Sequence, residues 1–378
     1  MYIGVDDKGI DLFESQYVVP NGISYNSYLI RDEKNVVMDT VDRRATDEWY
    51  KNLQEALCGE SVDYLVVSHM EPDHAYNIQK LCEAYPNMKI ISNQKVFAFL
   101  PQFFDIENLE QRKVVVGEGD TVSIGKHTLQ FIMAPMVHWP EVMMTYEMTN
   151  QILFSADAFG KFGALDTEED WDCEARRYYF NIVGKYGVQV QAVLKKAQSI
   201  EIKTICPLHG PILTEKLGHY LGKYDIWSRY EPENKGVTIA YASIHGNTKE
   251  VAEEFAKLLK EAGVEKVSLF DLARDDLAEA IEDAFRYDKL VLAAASYNAD
   301  VFPPMHNFLH QLQGKNYQKR KIAIIENGTW APSAAKKMLE IVENMKDVTI
   351  CKKIVTIRSR MNEKNKEEMK ELVEELLK

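Results

Sequence analysis

The second half of the chain alternates apolar strand-like runs with amphipathic helical stretches, and this pattern restricts the fold more than any other feature. Each run is short, and apolar residues recur at helical spacing in the stretch that follows it. Strands that alternate with helices in this way form parallel sheets with helices on both faces. We therefore predict a doubly wound, five-stranded parallel sheet. Its strands are predicted at 237–241, 266–270, 289–295, 321–326 and 348–357, followed by a closing helix at 362–378.

A polar segment at 231–236, which contains a proline and a glycine, separates this half from a differently patterned first half. Such segments are typical of the linkers between domains. Because 378 residues exceed what one ordinary hydrophobic core serves, two domains are expected. We place them at 1–234 and 235–378.

The first half is rich in strands near its start and then interleaves helices with strands. This order predicts an α/β domain with paired strands, which differs from a simple doubly wound sheet. The elements predicted early in this half are strands at 25–30 and 36–40, a helix at 45–57 and a strand at 62–68.

Charge and composition exclude several classes of protein. The net charge of −13 argues against a nucleic-acid binder, which needs a basic surface against the phosphates. The chain starts without a basic segment followed by an apolar run, and it has no stretch of about 18 uninterrupted apolar residues. We therefore expect a cytoplasmic protein with no membrane partner.

The cysteines are odd in number and scattered, and no two of them form a Cys-x-x-Cys pair. This spacing argues against a disulfide framework, a structural zinc site, an iron–sulfur cluster or an attached rubredoxin module. Reduced thiols are expected at all five positions: Cys58, Cys82, Cys173, Cys206 and Cys351.

The predicted strand at 62–68 runs directly into a loop that holds four metal-competent side chains, His69, Glu71, Asp73 and His74, in six positions. Without a cation, groups packed this densely would repel and desolvate one another. In an extended loop, His69, Glu71 and Asp73 would share one side and His74 would turn away. This arrangement suits two ions, one bound by His69 and Glu71 and the other by Asp73 and His74.

Three further candidates, His138, Asp157 and His209, each follow a strand-like run. A single histidine in such a place is more often a hydrogen-bonded core residue than a ligand. Beside the dense cluster, however, these three residues could complete its coordination. The other histidines lack such neighbours and are interpreted as ordinary surface or core residues: His127, His219, His306 and His310.

Imidazole and carboxylate together suit Fe(II), Mn(II) and Zn(II). Two ferrous ions carry a charge of +4, which Glu71, Asp73, Asp157 and a bridging hydroxide would neutralise. A neutral cluster is buried at little cost, and the additional carboxylate favours the oxidised state. This ligand set favours redox chemistry over hydrolysis.

The loop after the first strand of the second half runs from Ser243 to Thr248, where a doubly wound sheet binds phosphate at a helix N-terminus. It lacks the Gly-x-Gly-x-x-Gly pattern of dinucleotide sites and the lysine of a Walker loop. The loops at 295–305 and 326–330 follow the third and fourth strands, so all three loops should meet in one crevice. A helix cap is the alternative interpretation of the first loop.

The His-x-Glu-x-Asp-His pattern resembles the metallo-β-lactamase superfamily, whose second ligand is usually histidine. With Glu71 at that position and the three distant candidates present, the chain resembles the flavodiiron family, also called A-type flavoproteins. The likeness extends to 25–30, 39–41 and 153–160. It implies an N-terminal αββα metallo-β-lactamase-like sandwich. In that scaffold one iron would be bound by His69, Glu71, His138 and Asp157, and the other by Asp73, His74, Asp157 and His209, with Asp157 bridging.

The second half resembles flavodoxins, specifically the flavodiiron form in which Tyr-Asn is followed by Phe-Pro-Pro-Met. The resemblance implies FMN as the second cofactor. Two segments depart from the family pattern: 293–296 reads Ala-Ala-Ala-Ser where Gly-Ser-Pro-Thr is frequent, and Thr329 precedes Trp330 where glycine is usual. Trp330 could alternatively be a core residue. The phosphate would be held by Ser243, His245, Gly246, Asn247 and Thr248, and the ring by Ser296, Tyr297, Asn298, Asn327, Gly328, Thr329 and Trp330.

The resemblance implies an oxidoreductase in which FMN passes electrons to a di-iron centre that reduces O2 to water, NO to N2O, or both. It also implies a separate electron donor, for which rubredoxin is the candidate, and a head-to-tail homodimer or a dimer of dimers. Two rival hypotheses are a zinc hydrolase with a fused flavodoxin domain and a non-catalytic flavin and iron gas sensor. The preference between O2 and NO is left open.

Overall fold

Strands and helices follow one another through all 378 residues that the computed structural model describes. The chain divides into two compact units, Met1–Tyr179 with Tyr186–Asp225, and Phe180–Lys185 with Ile226–Lys378. The predicted domain boundary after residue 234 lies within the second unit and remains a prediction. None of the helices combines the length and apolarity needed to cross a lipid bilayer.

The first unit contains fourteen short strands. They are β1 (Val5–Asp7), β2 (Leu12–Phe13), β3 (Tyr17–Val18), β4 (Ile23–Tyr25), β5 (Tyr28–Ile30), β6 (Val36–Met38), β7 (Tyr64–Val66), β8 (Lys89–Ser92), β9 (Lys113–Val115), β10 (Thr121–Ser123), β11 (Thr128–Met133), β12 (Met143–Glu147), β13 (Ile152–Phe154) and β14 (Thr204–Cys206).

Eight α-helices accompany these strands, and the last of them continues into the second unit. They are α1 (Thr46–Leu57), α2 (Pro72–Ala75), α3 (Ile78–Ala84), α4 (Gln94–Phe103), α5 (Leu109–Arg112), α6 (Trp171–Tyr178), α7 (Gly187–Ala197) and α8 (Leu217–Ser228).

Ten of the strands form two five-stranded sheets, in the orders β5-β6-β7-β8-β9 and β10-β11-β12-β13-β14. In the first sheet β6 to β9 are parallel, because helices connect successive strands. The two sheets share one apolar core, in which Met38 and Val66 of the first sheet pack with Phe131 and Phe154 of the second. This is the αββα sandwich that the sequence predicts.

The predicted strand at 25–30 is wrong as a single element. The structure has β4 and β5 instead, interrupted at Asn26 and Ser27. The Asn26 side-chain amide donates to the carbonyl oxygens of Pro207 (2.8 Å) and Gly210 (2.7 Å), and the Ser27 hydroxyl donates to that of Asp39 (2.8 Å). These bonds tie the interruption to the ends of two other strands.

The second unit is built on six strands and five α-helices. The strands are β15 (Asn234–Ala242), β16 (Val267–Asp271), β17 (Tyr287–Tyr297), β18 (Asp300–Val301), β19 (Lys321–Asn327) and β20 (Thr349–Ile357). The helices are α9 (Asn247–Glu261), α10 (Leu277–Arg286), α11 (Pro303–Gly314), α12 (Ala334–Val342) and α13 (Glu363–Leu377).

Five of these strands form the predicted parallel sheet, in the order β16-β15-β17-β19-β20, and β18 pairs antiparallel with β17. Alternate residues of β15, Val237, Ile239 and Tyr241, pack into one apolar core with Phe255 of α9 and Leu372 of α13. The strand order changes direction between β15 and β17. Ligands bind at such a point, beyond the carboxyl ends of the strands.

Asp39 links two strands of the first unit and is almost completely buried. Its carboxylate accepts a hydrogen bond from the backbone N–H of Ser68 (2.6 Å), and its own N–H donates to Val66 (2.9 Å). Burial raises the pKa of Asp39 to about 6, although the bond to Ser68 and the nearby His74 partly oppose this shift. The ionised form is therefore disfavoured in the folded chain.

We expect Asp39→Asn to stabilise the metal-free protein at pH 7. Since the pKa of Asp39 is higher when folded, the contribution of Asp39 to wild-type stability falls as the pH rises from about 4 to about 6. The amide oxygen of asparagine still accepts from Ser68 and carries no charge. The gain should reach at most about 3 kcal/mol, at about 1.4 kcal/mol for each unit of pKa shift. Urea unfolding of chelator-treated protein at pH 7 and below pH 4 measures it.

Asp32→Asn is the control, because its expected effect on stability at pH 7 is opposite to that of Asp39→Asn. Hydrogen bonds from the backbone and ring of His127 outweigh burial and lower the pKa of Asp32. Loss of this carboxylate should therefore reduce stability at pH 7. A destabilised Asp39→Asn protein at pH 7 would show that the Asp39 charge is favourable.

Candidate metal centre and flavin cavity

The loop after β7 is not extended, so the expected common side for His69, Glu71 and Asp73 is wrong. Pro72 begins the short helix α2, where a residue without an N–H is tolerated. The helical turn brings the side chains of Asp73 and His74 together, with His74 Nε2 3.2 Å from Asp73 Oδ2. The backbone N–H and hydroxyl of Thr40 both donate to the carbonyl oxygen of His74 (2.8 Å each), which fixes the turn.

Four of the candidates form one group of ligand atoms: His69, Glu71, His138 and Asp157. Glu71 Oε2 lies 3.2 Å from His69 Nε2 and 3.1 Å from His138 Nε2. Asp157 Oδ2 lies 3.4 Å from each of the same two nitrogen atoms. Two imidazoles and two carboxylates therefore point at one common volume.

The other three candidates, Asp73, His74 and His209, form a second group. His209 Nε2 lies 3.2 Å from Asp73 Oδ2. The second oxygen of Asp157, Oδ1, faces this group, at 3.2 Å from His74 Nε2 and 3.9 Å from His209 Nε2. The Asp157 carboxylate thus presents one oxygen to each group, as a ligand that bridges two ions would.

The burial of these atoms fits a pair of cations. His69, His74, Asp157 and His209 are at most 1% exposed. Both oxygens of Asp157, Oδ1 of Asp73, and Nε2 of His74 and of His209 are buried without a hydrogen-bond partner. Each such atom costs about 1–3 kcal/mol unless it is satisfied. Metal ions between the two groups would satisfy them together.

The sequence analysis missed the residues that orient the imidazoles. His69 Nδ1 donates to Oε1 of the buried Glu141 (2.8 Å), and the backbone N–H of Met70 donates to the same oxygen (3.0 Å). His209 Nδ1 donates to the carbonyl oxygen of Ser24 (2.7 Å). These bonds leave each Nε2 lone pair free for a metal. The one sequence signal for the role of Glu141 was its position three residues after His138.

The electrostatics of the two ligand groups also favour bound cations. Burial lowers the pKa of His69, but hydrogen bonds to Glu141 and Glu71 raise it well above its usual range. Despite burial, His138 is similarly raised to about 9 by Asp157 and Glu71. Burial, together with the charges of Glu71 and Asp157, outweighs the charge of His74 and raises the pKa of Asp73 to about 7. Binding of metal ions by these groups would compete with the binding of protons.

A cavity of about 410 Å³ opens beside the ligands Glu71 and Asp73. Glu14, at the turn between β2 and β3, lines it. Although Glu14 as a whole is exposed, the burial of its carboxyl group and the charge of Glu71 raise its pKa to about 7. The sequence carried no signal for Glu14. This cavity leaves the candidate ligands Glu71 and Asp73 accessible from its interior.

The second candidate site is a cavity of about 680 Å³ at the carboxyl ends of β15, β17, β19 and β20. This volume is within the range of cofactor sites. Eleven of the twelve predicted flavin residues line it, namely Ser243, His245, Asn247, Thr248, Ser296, Tyr297, Asn298, Asn327, Gly328, Thr329 and Trp330. The twelfth, Gly246, precedes α9 with a left-handed φ of 97°. No lysine, arginine, aspartate or glutamate lines the cavity.

Ser296 and Asn327, two of the residues predicted to contact the flavin ring, hold the loops of the cavity in place. Ser296 Oγ accepts from the backbone N–H groups of Ser333 (2.8 Å) and Ala334 (3.2 Å), at the start of α12. The Asn327 amide exchanges two hydrogen bonds of 3.0 Å with the backbone of Ser359. Ser359 follows the fifth parallel strand, a position from which its place in the crevice could have been inferred.

The aromatic side chains of the cavity are available to a ligand. Trp330 is 89% exposed, so the alternative that it is a core residue is wrong. Tyr297 is 45% exposed and makes an edge contact with Phe302. Flat aromatic rings at the mouth of an uncharged cavity suit a planar ring system such as a flavin.

Comparison with known proteins supports the predicted family of each half of the chain. Residues 23–210 match the model of the ODP family of β-lactamase domains, and residues 238–375 match that of a flavodoxin domain. The chain is 30% identical to the nitric oxide reductase of Moorella thermoacetica over 349 residues, which cover 90% of this chain and 86% of that protein.

Two further relatives span most of the chain. The anaerobic nitric oxide reductase flavorubredoxin of Vibrio vulnificus is 28% identical over 339 residues, 87% of this chain and 68% of that protein. A flavo di-iron protein variant of Thermotoga maritima has a TM-score of 0.88 and 25% identity, and the match covers 99% of this chain and 94% of that one. The chain therefore belongs to the flavodiiron proteins, oxidoreductases that combine a β-lactamase-like di-iron domain with a flavodoxin domain that carries FMN.

Proposed function

We propose that this oxidoreductase accepts electrons at FMN and uses them at its di-iron centre to reduce O2 to water, NO to N2O, or both. Four electrons and four protons convert O2 into two water molecules, and two of each convert two NO molecules into N2O and water. The observation that carries the proposal is the Asp157 carboxylate, whose two oxygens face two separate ligand groups. The name of the Moorella relative supports NO as one substrate.

The proposed ligands of one iron are His69, Glu71, His138 and Asp157, and those of the other are Asp73, His74, Asp157 and His209. When bound, the iron pair would supply the electrons and the coordination position at which the gas is reduced. Glu141 and Ser24 hold the imidazoles of His69 and His209 in the tautomers that ligation requires. Glu71 adds a negative charge where histidine would add none, and this charge supports iron over the zinc of a hydrolase.

The FMN phosphate would occupy the end of the cavity at Ser243, His245, Gly246, Asn247 and Thr248. There the N-terminus of α9 presents backbone N–H groups and a partial positive charge, which substitutes for absent lysine and arginine side chains. The ring would lie among Tyr297, Asn298, Thr329 and Trp330. The Ser296 hydroxyl keeps its proton to donate, because its oxygen accepts from the α12 backbone.

We further propose a cytoplasmic protein with domains at 1–234 and 235–378. The electron donor in this proposal is a separate protein. The flavorubredoxin name of one relative supports rubredoxin as that donor. A head-to-tail homodimer, or a dimer of dimers, would bring the FMN of one subunit to the iron site of its partner.

Anaerobic reduction followed by rapid mixing with O2 and with NO tests the function, with iron and FMN counted in each chain. We expect two irons, one FMN and re-oxidation within seconds by at least one gas. Competition between the gases then gives the preference. Bound zinc together with hydrolytic activity would contradict this proposal and support the zinc hydrolase. A protein that contains iron and FMN but is oxidised by neither gas would support the gas sensor.

We expect Glu141→Gln to weaken iron binding by about 10–100-fold, the usual effect of losing a residue that orients a metal-bound histidine. The amide keeps the shape of the carboxylate but lacks the charge that holds His69. Competition with a chelator measures the affinity. Glu147→Gln is the matched control, because Glu147 is equally buried and accepts only from the backbone of its own turn. Equal losses in the two variants would contradict the role of Glu141.

Gly328→Ala should weaken FMN binding. A Cβ atom at this position would lie 2.6 Å from Pro332 Cα and 2.9 Å from Ser296 Oγ, so the two ring-side loops must separate. Quenching of flavin fluorescence on titration of the apoprotein measures the affinity. Gly314→Ala is the control, because a Cβ there meets no atom within 4 Å. An unchanged affinity of Gly328→Ala for FMN would show that these loops do not contact the flavin.

A further inference from the structure

Helix α11 carries two histidines, His306 and His310, one helical turn apart. Both are exposed, whereas Met305, Phe308 and Leu309 of the same helix are buried. Residues four apart on a helix are neighbours on one face, with Cβ atoms about 5–6 Å apart. The two imidazoles therefore share one solvent-facing side of the helix.

Neither imidazole has a hydrogen bond or ion pair with another side chain. Two other histidines outside the metal centre, His127 and His219, differ in this respect. His127 pairs with Asp32 at 2.7 Å, and His219 pairs with Asp172 at 2.6 Å. The ring nitrogens of His306 and His310 are thus free to bind an external partner.

Both histidines line a cavity of about 550 Å³, together with Asp300 and Asn307. Tyr297 and Asn298 line this cavity and also the flavin cavity. The two cavities are therefore adjacent and share one wall. Two histidines without partners, in a cavity that an aspartate and an asparagine also line, form the beginning of a metal site.

We propose that His306 and His310 chelate one divalent transition-metal ion of the Zn²⁺ type in this cavity. Imidazole binds Zn²⁺, Cu²⁺ and Ni²⁺ well, whereas Mg²⁺ and Ca²⁺ prefer oxygen ligands. Two ligands on one rigid helix bind more tightly than either alone, because the second binding step is intramolecular. Water, Asp300 or Asn307 would complete the coordination.

An ion in this cavity would act on the neighbouring flavin, an effect that rests on the proposed binding of FMN. Reduction adds negative charge to a flavin, and a nearby cation stabilises that charge. The ion should therefore raise the midpoint potential of the flavin. The shared wall of Tyr297 and Asn298 is the reason to expect this coupling.

Calorimetric titration of the iron- and FMN-loaded full chain with Zn²⁺ tests the site, with iron counted before and after. We expect one bound Zn²⁺ in addition to the retained iron, and binding at least about tenfold weaker in His306→Ala and in His310→Ala. Mg²⁺ should not compete. Gln313→Ala is the matched control, since Gln313 is exposed on the same helix and does not line the cavity.

No additional Zn²⁺, an equal loss of binding in Gln313→Ala, or Zn²⁺ uptake matched by iron release would overturn the proposed site. Because these measurements need no turnover, failure of the gas reactions would leave them unaffected. A flavin potential that Zn²⁺ does not change in the loaded wild-type protein would overturn the coupling. The double variant His306→Ala with His310→Ala should bind no additional Zn²⁺, and its flavin potential should not respond to Zn²⁺.

Discussion

The carboxylate of Asp157 is the group on which both ligand clusters depend. It is buried, its two oxygens face different sets of imidazoles, and neither oxygen has a hydrogen-bond partner within the chain. Burial alone would raise its pKa, but the charge of His74 and the neighbouring histidines lower it well below the usual range. The negative charge therefore persists in the folded state. It obliges the site to hold positive charge, whether as protons or as metal ions.

The fold provides this arrangement by placing loops at the ends of paired strands. The loop of Asp157 follows β13 and that of His209 follows β14, and these strands are parallel neighbours with Phe154 opposite Cys206. The flavodoxin half is arranged in the same way, because the loops after β15, β17, β19 and β20 line one cavity. In each half a rigid sheet fixes the starting point of several loops, so side chains distant in sequence meet within hydrogen-bonding distance.

Much of this could be predicted from sequence, because strand alternation and ligand residues at strand ends are local signals. His69, Glu71, Asp73 and His74 stand within six positions, and the fold brings the distant candidates to them. The interruption at Asn26 could not be predicted, since its amide bonds to carbonyl groups more than 180 positions away. Glu141 was missed for a similar reason, because its role depends on the orientation of the His69 ring. The helical turn at Pro72 was overlooked, although proline at a helix start is a recognisable signal.

The flavin cavity contains no charged side chain. A phosphate dianion that enters it meets hydroxyl, amide and backbone groups and the imidazole of His245, together with the partial charge at the start of α9. Long-range attraction therefore contributes little to its capture, and the overall acidity of the chain opposes its approach. Discrimination among phosphorylated molecules then depends on the match of donors to the phosphate oxygens and on the fit of the attached ring.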